Sequence, residues 1–352
     1  MTRRSKALRL AAVLGAFALA LGVVACGDDD DGGGGGGAAG GGELQKVQYL
    51  LPYQDSISFL GLLIAKDGCF ADEGLEVETV PSNGSDYVVQ QLIAGNVKFG
   101  QTGADNILIA NATGRPVRGI AQVGGRGIFT IVVPADSDVQ TVADLKGKKL
   151  GVTDLGGGEI PLVKASIADA GLTEGDDVEL AVVGEGGPAA LNALQSGKIA
   201  AYAGANNDIA GMIAAGLEPR EIVAEKFQTV PTTEVAVMED TLQNPEDRDV
   251  AIKIARCYRK GSEFAVENPD EALDIACKQV PEECEDEKVR DAFMESVLDS
   301  YEVPEGAEHY TDHIPQESYD LVQTSLAADD IATPQDLAKV FPDEYRDEIN
   351  QD

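Results

Sequence analysis

The 352-residue sequence contains no tryptophan, only two histidines and four methionines, and 27 basic residues against 61 acids. Each shortage removes a class of function. A formal charge of −34 at pH 7 repels phosphate backbones and anionic lipid surfaces, which excludes nucleic acid as a partner. A serine or cysteine nucleophile would have to recruit His309 or His313 as its base, so an enzyme is not the expected reading. The i, i+4 spacing of those histidines in EHYTDH can put both imidazoles on one helical face toward a metal. The glutamate of an H-E-x-x-H zinc site is missing, however, and a hydrated surface segment is the plainer reading. None of the glycine-rich turns ends in Gly-Lys-Ser/Thr, so there is no phosphate loop. No metal and no cofactor are expected.

What is present begins with Arg3, Arg4, Lys6 and Arg9, followed by an uncharged run from Leu10 to Ala25. That layout is a secretory signal over residues 1–25, since sixteen residues fall short of the roughly 20 that span a bilayer. Beyond those four bases, 23 Lys and Arg face the same 61 acids. Next come Cys26, four aspartates and a run of almost pure glycine to Gly42. Such a segment buries no apolar surface, so residues 26–42 read as a flexible tether reaching about 20 Å. The segment Val23-Val24-Ala25-Cys26 resembles the end of a bacterial lipoprotein signal. The resemblance implies acylation of Cys26 and a body held at the membrane by lipid. Four cysteines remain, Cys69, Cys257, Cys277 and Cys284, with no CxxC spacing. An even number in an exported chain favours two disulfides, and three pairings are open.

From Glu43 onward, short β-rich runs alternate with helical patterns, which reads as α/β with largely parallel sheets. Strands are expected at Val47–Leu51, Glu76–Val80, Lys98–Thr102, Val117–Val123, Phe129–Val133, Lys149–Thr153, Glu179–Val183, Ala200–Gly204, Glu221–Ala224 and Glu234–Met238. Helices dominate the last hundred residues: Ala251–Val266, Asp270–Lys278, Lys288–Leu298 and Gln316–Leu326. One repeat stands out. LIAGNVKFGQTGADNILIANATG (Leu92–Gly114) aligns without gaps on LQSGKIAAYAGANNDIAGMIAAG (Leu194–Gly216). Each copy is a helix end, a glycine stop, a strand, a loop and a new helix, and each sits at the third strand of a four-strand series. Two similar lobes follow, with strand ends and helix N-termini facing a shared crevice.

The segment IAKDGCFADEGLEVETV (Ile64–Val80) resembles the opening helix and second strand of the nitrate/sulfonate/taurine and thiamine-pyrimidine-precursor substrate-binding proteins of ABC importers. Cys69 stands where that family usually has an aromatic. SDYVVQQLIAGNVKFGQTGADNILIANATGRPVRGIAQV, SDVQTVADLKGKKLGV (Ser137–Val152) and NPDEALDIA (Asn268–Ala276) are similar to its later blocks. The resemblance implies a two-lobe periplasmic-binding-protein-like type II fold, with two crossovers and a cleft that closes on a solute. Lobe 1 would be residues 43–127 plus 228–352, with the helical C-terminal section packed on it, and lobe 2 residues 128–227. A small-molecule solute, permease and ATPase subunits, and the membrane through the N-terminal lipid would be the partners of a monomer.

In that family the loops after the strands touch the ligand. Carried onto this sequence, they give Tyr53, Gln54 and Asp55, then Asn83, then Thr102, Gly103, Asp105 and Asn106 in lobe 1. Lobe 2 gives Asp154, Gly156, Gly157, Gly158 and Glu159, then Asn206, Asn207 and Asp208, and the return crossover gives Thr233 and Glu234. Several have plainer roles. Asp55 or Ser56, Ser85 or Asp86, and Asp105, Asn106, Asn207 or Asp208 suit helix caps, and Phe59 suits the core. An acid-rich wall with Arg126 as the base nearest a crossover favours a neutral or cationic ligand. A pyrimidine-like nitrogen heterocycle stacked on Tyr53, or an amine, fits best. A sulfonate-type anion on the Gly156–Gly158 amides is the alternative. A solute sensor, or an enzyme of the same fold acting on a pyrimidine or pyridoxal-type substrate, are the rivals from other classes.

Overall fold

A computed structural model describes residues 43–155, 157–228, 233–303, 307–311, 316–328 and 332–351. The signal, Cys26, the tether, Gly156 and His313 lie outside the described residues. The body Gly42–Asp352 forms one compact unit.

Its strands build two five-stranded sheets. The first runs β2-β1-β3-β10-β4, from β1 (Gln45–Leu51), β2 (Leu75–Pro81), β3 (Phe99–Thr102), β4 (Val117–Gln122) and β10 (Glu234–Met238). The second runs β7-β6-β8-β5-β9, from β5 (Phe129–Pro134), β6 (Lys148–Val152), β7 (Val178–Val182), β8 (Ala201–Ala205) and β9 (Pro219–Glu221). β1 lies parallel to β2 and β3, and β6 lies parallel to β7 and β8. One antiparallel strand sits fourth in each sheet, β10 in the first and β5 in the second. Both are entered from the opposite sheet, after β9 and after β4 respectively, so the chain crosses twice. The ninth strand is displaced from the expected Glu221–Ala224 to Pro219–Glu221: the Ile222 amide makes a last bond to the Ile131 carbonyl at 3.0 Å, and Ile222 and Val223 then bury their side chains in the second core.

The longer helices are α1 (Leu60–Asp67), α2 (Ser85–Ile93), α3 (Ala104–Ala112), α4 (Ile160–Asp169), α5 (Pro188–Gln195), α6 (Asn206–Ala214), α7 (Pro245–Glu267), α8 (Pro269–Gln279), α9 (Glu287–Ser300) and α10 (Gln316–Ala328). The sequence repeat occupies equivalent places: β3–α3 in one sheet and β8–α6 in the other. Its glycines stop the preceding helices with matching left-handed conformations, φ 69° at Gly95 and 71° at Gly197, which a side chain would resist.

Alternation explains how the first sheet is sandwiched. Val47, Tyr49 and Leu51 enter the core beneath α1 and α7, while Leu50 enters the core beneath α2 and α3. Where α1 crosses α7, a Cβ on Gly261 would lie 2.1 Å from the carbonyl oxygen of Gly61, so the backbones meet directly. The disulfide Cys69–Cys257 fastens the same region, and Cys277–Cys284 closes a short loop after α8.

The C-terminal helices do not pack on the first sheet alone. α9 lies against α6, and α10 lies against both α3 and α4. The side chains of α10 dictate this: Tyr319, Val322 and Leu326 join the core of the first sheet, while Leu321 packs against that of the second.

Candidate functional site

On the first sheet, β1 runs into Pro52-Tyr53-Gln54-Asp55, and Ser56 then opens a 3-10 turn, Ile57–Phe59. Ser56 Oγ caps that turn by accepting from the Ser58 amide at 3.2 Å, and Phe59 is buried. Asp55 does not cap. Its Oδ2 accepts from Lys66 Nζ at 2.8 Å and from Thr79 Oγ1 at 3.0 Å, while Oδ1 is buried without a hydrogen-bond partner. Tyr53 lays its ring against Phe59, centroids 4.6 Å apart, and remains 39% exposed. A buried ring behind an exposed one makes a firm stacking surface.

Gly84 donates to the carbonyl of Pro52 at 2.6 Å, which ties the loop after β2 to the loop after β1. Asn83 is exposed in that loop. Gly84, at φ 101°, occupies the N-cap of α2, so neither Ser85 nor Asp86 caps it. Asp86 accepts instead from Asn106 Nδ2 at 2.6 Å. Gly103 precedes α3, so that helix too lacks a side-chain cap. A Cβ at Gly103 would lie 2.3 Å from Asp105 Oδ1 and 2.8 Å from Asn106 Oδ1, so both side chains fold back over it. Burial, with Asp86 adding, pushes the Asp105 carboxyl up to about 6. Thr102 is buried, and its hydroxyl donates to the Ser85 carbonyl at 3.1 Å.

On the second sheet, Glu159 is 2% exposed, and its Oε1 accepts from the Thr153 amide and hydroxyl at 2.8 and 2.6 Å. The space above Gly157 is filled by that carboxylate, and the space above Gly158 by the ring of Phe129. The Gly157 amide donates to the carbonyl of the exposed Asp154 at 3.1 Å. Asp208, third in α6, reaches back to the Ala205 amide at 3.0 Å and across to the Gly186 amide at 2.7 Å. Burial raises its carboxyl above the ordinary range, and Glu159 and Glu185 raise it further. The Asn207 amide donates to Asn206 Oδ1 at 2.8 Å, and the Asn206 amide to the Ile128 carbonyl at 2.7 Å. Asn206 also lines a cavity of about 70 Å³ with Arg126, Phe129, Thr130 and Asp299.

These groups divide into two acid-rich walls, Asp86/Asp105/Asn106 on the first sheet and Glu159/Glu185/Asp208 on the second. Tyr53 links them, because its hydroxyl lies within electrostatic reach of Asp208. Glu234 belongs to neither wall. It is fully buried, accepts from the Tyr319 hydroxyl at 2.6 Å, and lines a separate cavity of about 40 Å³. Thr233 offers its carbonyl to the Val123 amide at 2.9 Å.

The nearby bases are engaged. Lys66 is paired with Asp55. Arg126 reaches Asp299 at 2.9 Å, Glu302 at 3.6 Å and Gln228 at 3.1 Å. His309 sits elsewhere, its Nδ1 2.6 Å from Glu263 Oε1 and 3.1 Å from Arg259 Nη1. Among the described residues no cluster of three or more His, Cys, Asp or Glu suits a metal, and no helix is long and apolar enough to cross a membrane.

Sequence reasoning passed over Tyr87, 42% exposed in the first turn of α2, and Leu155, 62% exposed after β6. With Tyr53 they are exposed apolar side chains at or just beyond the loops that follow β1, β2 and β6. The usable signal is an apolar residue within six positions of a strand end; in SDYVVQQL it is masked by the helical pattern.

A family model described as "NMT1/THI5 like" matches residues 56–272. The riboflavin-binding protein RibY of Chloroflexus aurantiacus is 26% identical over 245 residues, 68% of each chain. A formylaminopyrimidine-binding protein of Halalkalibacterium halodurans is 25% identical over 235 residues, 66% of this chain and 70% of that one. Among solved structures, a putative periplasmic sulfonate-binding protein from Methylobacillus flagellatus covers 87% of this chain and 94% of its own at TM-score 0.63 and 19% identity. At that identity the likeness is one of fold.

Proposed function

The chain belongs to the NMT1/THI5 like family, and on that premise we propose that it is the extracytoplasmic solute receptor of an ABC importer. Its ligand is a small nitrogen heterocycle or amine. Residues 43–127 with 228–352 form one lobe and 128–227 the other, and solute shifts the equilibrium between open and closed arrangements. Cys26, acylated, anchors a monomer at the membrane, and a permease and ATPase receive the solute.

The observation that carries the ligand class is the half-exposed ring of Tyr53, backed by Phe59, in surroundings where acids outnumber uncommitted bases. A flat ring stacks on the tyrosine, and an N–H or a positive charge meets the carboxylates. An anion is less well served: the Gly157 amide already has an acceptor and Arg126 is already paired. The names of the curated relatives, which specify riboflavin and formylaminopyrimidine, support the same class.

The test uses protein lacking residues 1–26 and follows thermal unfolding with riboflavin, formylaminopyrimidine, taurine and a DNA duplex. Ligand at a hundred times its Kd stabilises by about 2.7 kcal/mol, a readily measured rise in Tm. A rise with a heterocycle and none with DNA is expected. A rise with taurine alone overturns the ligand class.

A further inference from the structure

The turn that follows the Tyr53 loop, and whose Phe59 backs the Tyr53 ring, is capped from far away. The amide of Ile57 and the hydroxyl of Ser56 both donate to Oε2 of Glu283, at 2.7 and 3.1 Å, across more than two hundred residues of sequence. Ile57 opens the 3-10 turn, where backbone amides have no partner within the turn. Ser56 relays the grip, accepting from Ser58 with the same oxygen that donates to Glu283. The Tyr53 hydroxyl lies within electrostatic reach of Glu283 as well as of Asp208.

What fixes Glu283 is its neighbour. It belongs to the turn Pro281–Cys284, and Cys284 is bonded to Cys277 in α8, seven positions away. Ile57 is fully buried in the same apolar cluster as Val280, with Cys284 packed against that cluster. A bridge across so short a loop restricts the unfolded chain far less than one closing a long loop. Its main consequence is therefore local, holding the orientation of the turn that presents the carboxylate.

We infer that Glu283, braced by the Cys277–Cys284 bridge, is the positioning residue for the Tyr53 loop, setting the angle at which that ring meets a solute. The inference rests on the solute-receptor reading. The other bridge, Cys69–Cys257, spans 188 positions and joins the α1 region to α7. Neither of its cysteines lies in the Tyr53 loop, and closing so long a loop stabilises the fold as a whole.

The experiment pairs hydrogen exchange with binding on protein lacking residues 1–26. Variants are Glu283→Ala, Glu283→Gln, the double Cys277→Ser/Cys284→Ser and the double Cys69→Ser/Cys257→Ser. In Glu283→Ala and Cys277→Ser/Cys284→Ser, exchange over residues 52–62 should quicken about tenfold or more while the remainder of the protein stays protected. Glu283→Gln retains an acceptor and should restore most of the protection. Riboflavin and formylaminopyrimidine are the binding probes. Whichever binds the parent should dissociate about tenfold faster from Glu283→Ala, with Glu283→Gln near the parent. Cys69→Ser/Cys257→Ser should lower Tm without changing affinity. Unchanged exchange over 52–62 in both Glu283→Ala and Cys277→Ser/Cys284→Ser overturns the inference, as does faster exchange with unaltered probe affinity. If neither probe binds the parent, the heterocycle class fails instead, and the exchange measurement alone decides the positioning role.

Discussion

The hydroxyl of Tyr319, on a helix whose side chains join the cores of both sheets, donates at 2.6 Å to a carboxyl of Glu234 that has no access to solvent. The other oxygen, Oε2, has no hydrogen-bond partner, and burial pushes the group up from 4.5 to about 8. Between those values the folded protein holds a proton that the unfolded chain has released, so stability falls as pH rises through that window. The stabilisation is complete below 4.5 and lost above 8, a difference on the order of 3–5 kcal/mol. Glu234→Gln keeps an acceptor for Tyr319 without the charge. Denaturant unfolding should show it more stable than the parent at pH 8 and nearly equal at pH 4.5. Parallel pH profiles for the two proteins would contradict this.

A second pH effect concerns binding. Asp105 titrates near 6, so it is largely neutral at pH 5 and charged at pH 7. If the solute carries positive charge, calorimetry should find tighter binding at pH 7 than at pH 5, by about tenfold. Asp105→Asn should flatten that dependence.

One face of the Tyr53 ring is stacking surface, and the other packs on the buried Phe59. Tyr53→Ala should weaken binding of a flat heterocycle about tenfold or more, the usual worth of one aromatic stack, with a modest fall in Tm from the lost contact with Phe59. Tyr53→Phe should bind nearly as well as the parent. A large fall in Tm for Tyr53→Ala would mean the ring is structural.

The crossing of α1 and α7 tolerates no side chain at Gly261, where a Cβ would lie 2.1 Å from the Gly61 carbonyl oxygen. Gly261→Ala should cost about 2 kcal/mol or more by forcing the helices apart. Gly187→Ala, where a Cβ meets nothing within 4 Å, is the comparison and should cost far less. Chemical denaturation of both variants gives the answer.

Most strand positions and the equivalence of the repeated segments were legible because they depend on apolar period and glycine stops, whereas the two crossovers were implied only by the family resemblance. Those signals are local, and Val47, Tyr49 and Leu51 carry them in adjacent alternate positions. Partners distant in sequence were not legible. Nothing in LPYQDSISF announces that Asp55 meets Lys66 and Thr79, or that Ile57 is capped by Glu283. Glu234 shows the same gap. Its strand is bounded as expected at Glu234–Met238, yet its side chain enters a cavity closed by Tyr319 and Phe341, contacts made only after the C-terminal section folds over the sheet. The glycines before α4 were visible, but not that Glu159 and Phe129 fill the room they leave.

The place of β10 bears on the order in which the molecule is assembled. By the time Glu221 has been synthesised, every strand of the second sheet exists, whereas the first still lacks its fourth member and keeps β3 and β4 unjoined until Met238. The half of the molecule that begins first is thus completed last. A polypeptide released after residue 227 would keep one finished sheet beside an open one, its exposed edges inviting association with other chains.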